Sequence, residues 1–140
     1  KPPTIKGEHL ASFQRGEKLY MGRVACIGCH GAEGTGLPNL GPPLDESDWV
    51  NGDTKRLAKT LLHGLQGPIT VSGQRYTPPA AMPGLSMNPT ISDRDIADIL
   101  TFIRHAWSNR SGKVEEAFIK ESRETTRKQG GVPYTEKELN

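Results

Sequence analysis

The chain has 140 residues, 34% apolar and 6% aromatic, with 16 glycines and 11 prolines, which suits a single domain with too few apolar side chains for a large core of its own. Its net charge of +2, from 18 basic and 16 acidic residues, is too weak and dispersed for a nucleic-acid or anionic-membrane surface. No run of 18 apolar residues occurs to suggest a membrane span.

In chain order, residues 1–7 (KPPTIKG) read as a linker or arm. Residues 8–22 place Leu10, Phe13, Leu19 and Tyr20 at rough helical spacing and predict a first helix. Gly16 inside it costs about 1 kcal/mol against Ala, a cost that a close helix–helix crossing would explain. Residues 31–45 (GAEGTGLPNLGPPLD) hold too much Gly and Pro for a helix or central strand, and a loop this long points to function. Residues 46–50 read as a turn ending on Trp49. Residues 53–63 predict a second helix, capped by Asp53 or its neighbour, with Leu57, Leu61 and Leu62 on its apolar stripe and Gly64 as its stop.

Ile69–Val71 and Gln74–Tyr76 flank Ser72-Gly73 as a small hairpin would. Residues 77–90 form a second irregular loop containing Met82 and Met87. The strongest helix is expected over 92–107. Ser92 is its N-cap, Asp95 completes a capping box, and Ile96, Ile99, Leu100, Ile103 and Trp107 share one face. A charged helix over 113–128 has Val114, Ala117, Phe118 and Ile119 to bury, followed by a break at 130–133 and a polar end. The organisation read from this is an arm over 1–7, a domain over 8–110, and a helical extension with a tail over 111–140.

Cys26-Ile27-Gly28-Cys29-His30 contains both cysteines of the chain. C-x-x-C-H is the attachment signature of a c-type haem. Two thiols spaced by two residues each add across a vinyl group of one porphyrin, and the adjacent imidazole ligates the iron. One such haem would supply the buried apolar area that the side chains lack. Attachment of this kind takes place outside the cytoplasm, so a periplasmic or otherwise exported chain is expected. The start at Lys1, with no signal peptide, reads as a mature product or a module of a longer chain. A thioredoxin-type C-x-x-C needs a βαβ context, whereas residues 1–25 supply a helix. A structural zinc needs four ligands, and His9, His63 and His105 are scattered singly and read as surface or packing residues.

A sixth ligand must come from far along the chain to reach the opposite face of the iron. Met82, with small residues before it and Pro83 after it, is favoured over Met87, which lies close to the Ser92 cap. His/Met ligation raises the reduction potential and suits electron transfer. A ligating His donates its other ring N–H to an acceptor, here the carbonyl of Pro42 or Pro43. Leu40 and Leu44 would pack on the porphyrin, and the polar tips of Trp49, Arg75 and Tyr76 would meet its propionates.

Together these residues resemble a class I cytochrome c over about residues 7–108. The resemblance rests on Gly16-x-x-x-Tyr20, CIGCH, Gly41-Pro42-Pro43-Leu44, Met82-Pro83 and the pair Ile99 and Phe102. It implies an all-α fold of three to five helices around one covalently bound haem, with the possible hairpin near 69–76. It also implies that Pro42 is the acceptor for His30, that Met82 is the axial ligand, and that Ile99 and Phe102 pack on Gly16 and Tyr20. The chain departs from the family pattern in a Tyr20–Cys26 gap two residues longer than common and an extended loop around Met82.

A narrower resemblance, to the cytochrome modules of periplasmic quinoprotein and sugar dehydrogenases, rests on HGLQGPITVSGQRY and ISDRDIADILTFIRHAWSN. It implies an electron carrier, not an enzyme, that passes electrons from a fused or associated dehydrogenase to a respiratory acceptor, and a domain boundary at Lys1. The alternative is a peroxidase-like haem enzyme or gas sensor with a displaceable sixth ligand, but TPPAAMPGL offers no distal acid/base group. A metal-free or zinc-stapled binding domain is a third reading.

Overall fold

A computed structural model describes residues 5–140; Lys1–Thr4, the first part of the expected arm, lie outside the described residues. Among the described residues there are seven α-helices, four of ten residues or more and three single turns. The long ones are α1 (Gly7–Met21), α4 (Thr54–His63), α5 (Asp93–His105) and α6 (Glu116–Thr125). The single turns are α2 (Ile27–His30), α3 (Asp48–Asn51) and α7 (Glu136–Leu139).

Caps set most of these boundaries. The Asp53 side chain accepts from the Lys55 N–H to start α4. Ser47 accepts from Trp49 and Val50, which makes the expected 46–50 turn a helical one. Ser92 and Asp95 form the reciprocal capping box of α5. Thr135 and Glu138 form a second box, so the polar end folds as α7 rather than trailing away.

Two helices are shorter than their periodicity suggests. α5 stops at His105 because Trp107 takes a left-handed backbone (φ +55°) and turns its ring onto Tyr20 and Phe102. α6 begins only at Glu116 because its N-cap Glu115 is extended and the preceding Val114 is tied to α5. The Val114 N–H donates to Thr101 Oγ1 (3.0 Å), and its carbonyl accepts the Thr101 hydroxyl. Ile119, not Ala117, is the fully buried residue of α6, and Thr126 separates that helix from a 3-10 turn at Arg127–Gln129.

The expected hairpin is present as β2 (Ile69–Val71) and β3 (Gln74–Tyr76), with Thr70 opposite Arg75. A second antiparallel pair was not expected. β1 (Gly64–Leu65) pairs with β4 (Met82–Pro83), Leu65 opposite Met82, so part of the 77–90 loop is strand.

α1 crosses α5 at Gly16. A Cβ there would sit 1.9 Å from the Asp98 carbonyl oxygen and 2.8 Å from Phe102 Cβ, so the crossing requires glycine. Ser12 donates to Asp98 (2.6 Å) and Arg15 pairs with the same carboxylate (2.8 Å), tying the two helices beside the contact. Tyr20 lies against Phe102, ring centroids 5.3 Å apart. The main core joins these residues to Leu61, Leu62, Ile96, Leu100 and Ile119.

Candidate functional site

The chain leaves α1 through Ala25, whose positive φ (+59°) turns it back so that the CIGCH segment coils as α2. Cys26 is half-buried and Cys29 exposed, and both are free thiols. Burial, with the nearby Cys29, pushes the Cys26 thiol up to about 11. His30 is buried, and its Nδ1 lies 2.9 Å from the carbonyl of Pro42. A carbonyl only accepts, so Nδ1 carries the proton and Nε2 keeps its lone pair. Burial lowers the pKa of His30 and the Pro42 hydrogen bond partly opposes it. The net result favours the neutral imidazole, the form that ligates metal.

The 31–45 loop closes tightly over this turn. Gly36 N–H donates to the His30 carbonyl (2.9 Å), and Leu44 and Asp45 both donate to the Gly34 carbonyl. The Tyr20 hydroxyl donates to the Gly31 carbonyl (2.6 Å), which joins the loop to the α1–α5 crossing. A Cβ at Gly41 would lie 2.8 Å from the Cys29 carbonyl oxygen and 3.1 Å from the His30 ring, so glycine is what lets Pro42 reach Nδ1. Asn109, beyond α5, holds the far end of the loop by donating to the Leu44 and Ile103 carbonyls and accepting from Glu46 N–H.

A cavity of about 310 Å³ opens beside this turn. Cys26, Cys29, His30 and Pro42 line one part of it, and Leu44, Trp49 and Met82 line others. Leu40 stands at the same cavity with 54% of its surface exposed. Met87 is 70% exposed and is not part of the wall. Arg75 and Tyr76 face a neighbouring hollow that shares Asn39–Pro43 and Pro78 with the first. There Arg75 donates to Thr70 Oγ1 and pairs with Glu136 (2.8 Å). The Trp49 indole N–H donates to the Thr70 carbonyl (2.8 Å), and the Arg56 guanidinium stacks on its ring at 4.0 Å.

The apolar wall comes largely from residues read only as core. Leu57 and Leu61 of α4, Ile99 and Ile103 of α5, and Ile69 and Val71 of β2 all face the cavity. Their helical and alternating spacing marked them as buried without saying that they border a cavity. Arg56 and Asn109 carried no sequence signal at all. The other histidines are packing residues. His63 is buried between Gly130 and Thr126, and His9 packs edge-to-face on His105 at 5.4 Å. No group of three or more His, Cys, Asp or Glu suited to a metal ion occurs among the described residues.

Two unpaired thiols, one neutral imidazole with its lone pair free, and a largely apolar cavity beside them form a donor set and container that fit a c-type haem. Comparison with known proteins agrees with this geometry. Residues 13–107 match the family model described as Cytochrome c. The chain is 35% identical over 98 residues to cytochrome c-552 of Thermus thermophilus, covering 67% of this chain and 69% of that protein. It is 34% identical over 112 residues to the cytochrome c subunit of the quinone alcohol dehydrogenase of Gluconobacter oxydans, covering 79% of this chain but 22% of that subunit. The corresponding subunit of Komagataeibacter europaeus is 34% identical over 103 residues, with 21% of its length covered. The chain thus matches about two thirds of the Thermus protein and about a fifth of the dehydrogenase subunits.

Proposed function

The chain belongs to the cytochrome c family and is an electron-carrier domain; from that premise we propose that it carries one haem on Cys26 and Cys29, with His30 and Met82 as axial ligands. The observation behind this reading is that Met82 and His30 border one cavity together with both thiols, while Met87 is exposed outside it. When bound, the haem supplies a one-electron Fe(III)/Fe(II) couple.

The chain's residues tune and shelter that couple. Pro42 accepts the His30 Nδ1 proton and fixes the tautomer, so Nε2 is the ligating atom. The Met82 thioether is a neutral, soft ligand that raises the potential relative to a second imidazole. Leu57, Leu61, Ile99 and Ile103 exclude water from the inner wall. Exposed Cys29 and Leu40 mark the edge at which a redox partner approaches for electron transfer.

Similarity to the cytochrome subunits of quinone alcohol dehydrogenases supports a module that takes electrons from a dehydrogenase, fused or associated, and passes them to a respiratory acceptor. Because haem attachment to C-x-x-C-H takes place outside the cytoplasm, this reading includes export. No described helix is long and apolar enough to cross a membrane.

The test is spectroscopic. Protein matured in a haem-attaching host should give one haem per chain by pyridine haemochrome and low-spin bands when reduced. The ferric form should show the weak red band of a Met–iron bond. Met82→Ala should abolish that band and Met87→Ala should keep it; the reverse result assigns the ligand to Met87. A high-spin ferric spectrum with ready cyanide binding would instead support the enzyme or sensor alternative.

A further inference from the structure

Met82 stands on a two-residue strand, too short to hold itself in place, so its position depends on what the surrounding loop rests on. The loop lies across the end of α4. Leu85 N–H donates to the Leu61 carbonyl and Ser86 N–H to the Leu62 carbonyl, both at 2.8 Å. Gly84 passes so close to His63 that a Cβ would fall 2.4 Å from the His63 carbonyl carbon. The partner strand β1 follows directly, with Gly64 opposite Pro83 and Leu65 opposite Met82.

The segment from α6 to α7 grips this same support from its other side. The His63 ring, 2% exposed, donates from Nδ1 to the Gly130 carbonyl, and its Nε2 meets the Thr126 hydroxyl, each at 2.7 Å; that hydroxyl also lies 2.6 Å from the Ser122 carbonyl. Tyr134 N–H donates to the Gly64 carbonyl (3.0 Å), and Gln66 N–H returns a bond to the Tyr134 carbonyl (2.8 Å). The Gln66 side chain donates to the Pro133 carbonyl. Arg123 reaches the loop itself, donating to the Ser86 carbonyl (2.9 Å) while its Nε holds Asp93 (2.7 Å). β1 is therefore the middle of three segments, with the Met82 strand on one side and Tyr134 on the other.

We propose that residues 123–136 are a positioning clamp for the Met82 loop, with Arg123, Thr126 and Tyr134 as its contacts. The clamp holds His63–Gln66 and Ser86 so that Met82 stays at the iron, and its release opens the sixth position to an external ligand. This inference rests on the reading of Met82 as that ligand.

The test titrates imidazole into the full-length ferric haem protein and follows loss of the Met–iron band, with Tm measured in parallel. In Thr126→Val the buried Nε2 of His63 is left unpaired while the loop is closed and is free to meet water when it opens. That penalty should lower the half-displacing imidazole concentration by about tenfold. Arg123→Met should act in the same direction, and Thr126→Ser, which keeps the hydroxyl, should behave as wild type. Ser12→Ala loses a buried bond of the remote α1–α5 contact, so it should lower Tm without changing the imidazole response.

Wild-type imidazole sensitivity in both Thr126→Val and Arg123→Met, with the band absent in Met82→Ala, would refute the clamp and leave the ligand assignment standing. A shift in Ser12→Ala equal to that of Thr126→Val at equal loss of Tm would refute it as well, by making the effect one of global stability. A band that survives Met82→Ala removes both the ligand assignment and the clamp.

Discussion

Replacing Gly16 by Ala sets two effects of opposite sign against each other. Helix propensity alone favours Ala inside α1 by about 1 kcal/mol. The added Cβ, however, would lie 1.9 Å from the Asp98 carbonyl oxygen, where a carbon–oxygen contact needs about 3.3 Å. α1 and α5 must then part by about 1.4 Å at their closest point, because the obstacle is backbone that cannot rotate away. Overpacking of this kind costs about 1–3 kcal/mol. The separation also stretches the Ser12–Asp98 and Arg15–Asp98 bonds, now 2.6 and 2.8 Å, each worth about 1 kcal/mol net. The balance is a loss of roughly 3 kcal/mol, a fall in Tm of roughly 12 °C for a chain of this size. Urea unfolding of the haem protein by far-ultraviolet circular dichroism should show a lower midpoint with an unchanged slope. A Gly16→Ala protein as stable as wild type, or more so, would show that propensity wins and that the crossing yields without cost.

Asn109, 3% exposed, should be costly to truncate, since its amide serves the carbonyls of Leu44 and Ile103 and the N–H of Glu46 at once. Asn109→Ala should cost roughly 2–3 kcal/mol and speed amide exchange over residues 44–51; wild-type exchange there would argue against its role in holding the loop. Acid should destabilise the fold through two carboxylates. Burial raises Asp95, but the Ser92 N–H and the Arg23 guanidinium outweigh it and hold its pKa below the ordinary value. The Thr70 N–H, with Arg75, holds Glu136 low against a smaller effect of burial. Groups lowered in the folded state contribute stability above their unfolded pKa of about 4, and that stability is lost as pH falls through the folded value. The urea midpoint should therefore drop below about pH 4, and an Asp95→Asn, Glu136→Gln protein should show a shallower drop. An unchanged acid limb in that variant would refute the assignment.

Much of the framework was legible because it is local. Capping residues and apolar stripes act within one or two turns, so Ser92, Asp95, Asp53 and the faces of α4 and α5 could be read from spacing alone. The sequence also pointed to a close crossing at Gly16 as one reason for glycine inside a helix, with an exposed or helix-ending glycine as the alternative, and the contact with Asp98 and Phe102 is the crossing. The misreadings have the opposite cause. Two-residue strands such as β1 and β4 have no periodicity to detect and exist only because they meet. Trp107 continued the apolar face of α5 in sequence, yet its ring is drawn out of the helix onto Tyr20 and Phe102. The pairing of Arg75 with Glu136, 61 residues away, is a contact that spacing could not reveal, and it leaves the expected role of Arg75 at the propionates open.

The chemistry of CIGCH lies within five consecutive residues, so the sequence alone set the two thiols, the imidazole and the kind of cofactor they suit. The sequence favoured Met82 over Met87, and only the tertiary structure put Met82 on the cavity wall with His30 and left Met87 exposed. The contacts that residues 123–136 make behind the Met82 loop likewise came only with the tertiary structure. A pentapeptide brings its donors together through its own backbone geometry. A cavity wall and its brace depend on pairings such as Leu65 with Met82 and Gly64 with Tyr134, between segments that meet only when the chain has folded.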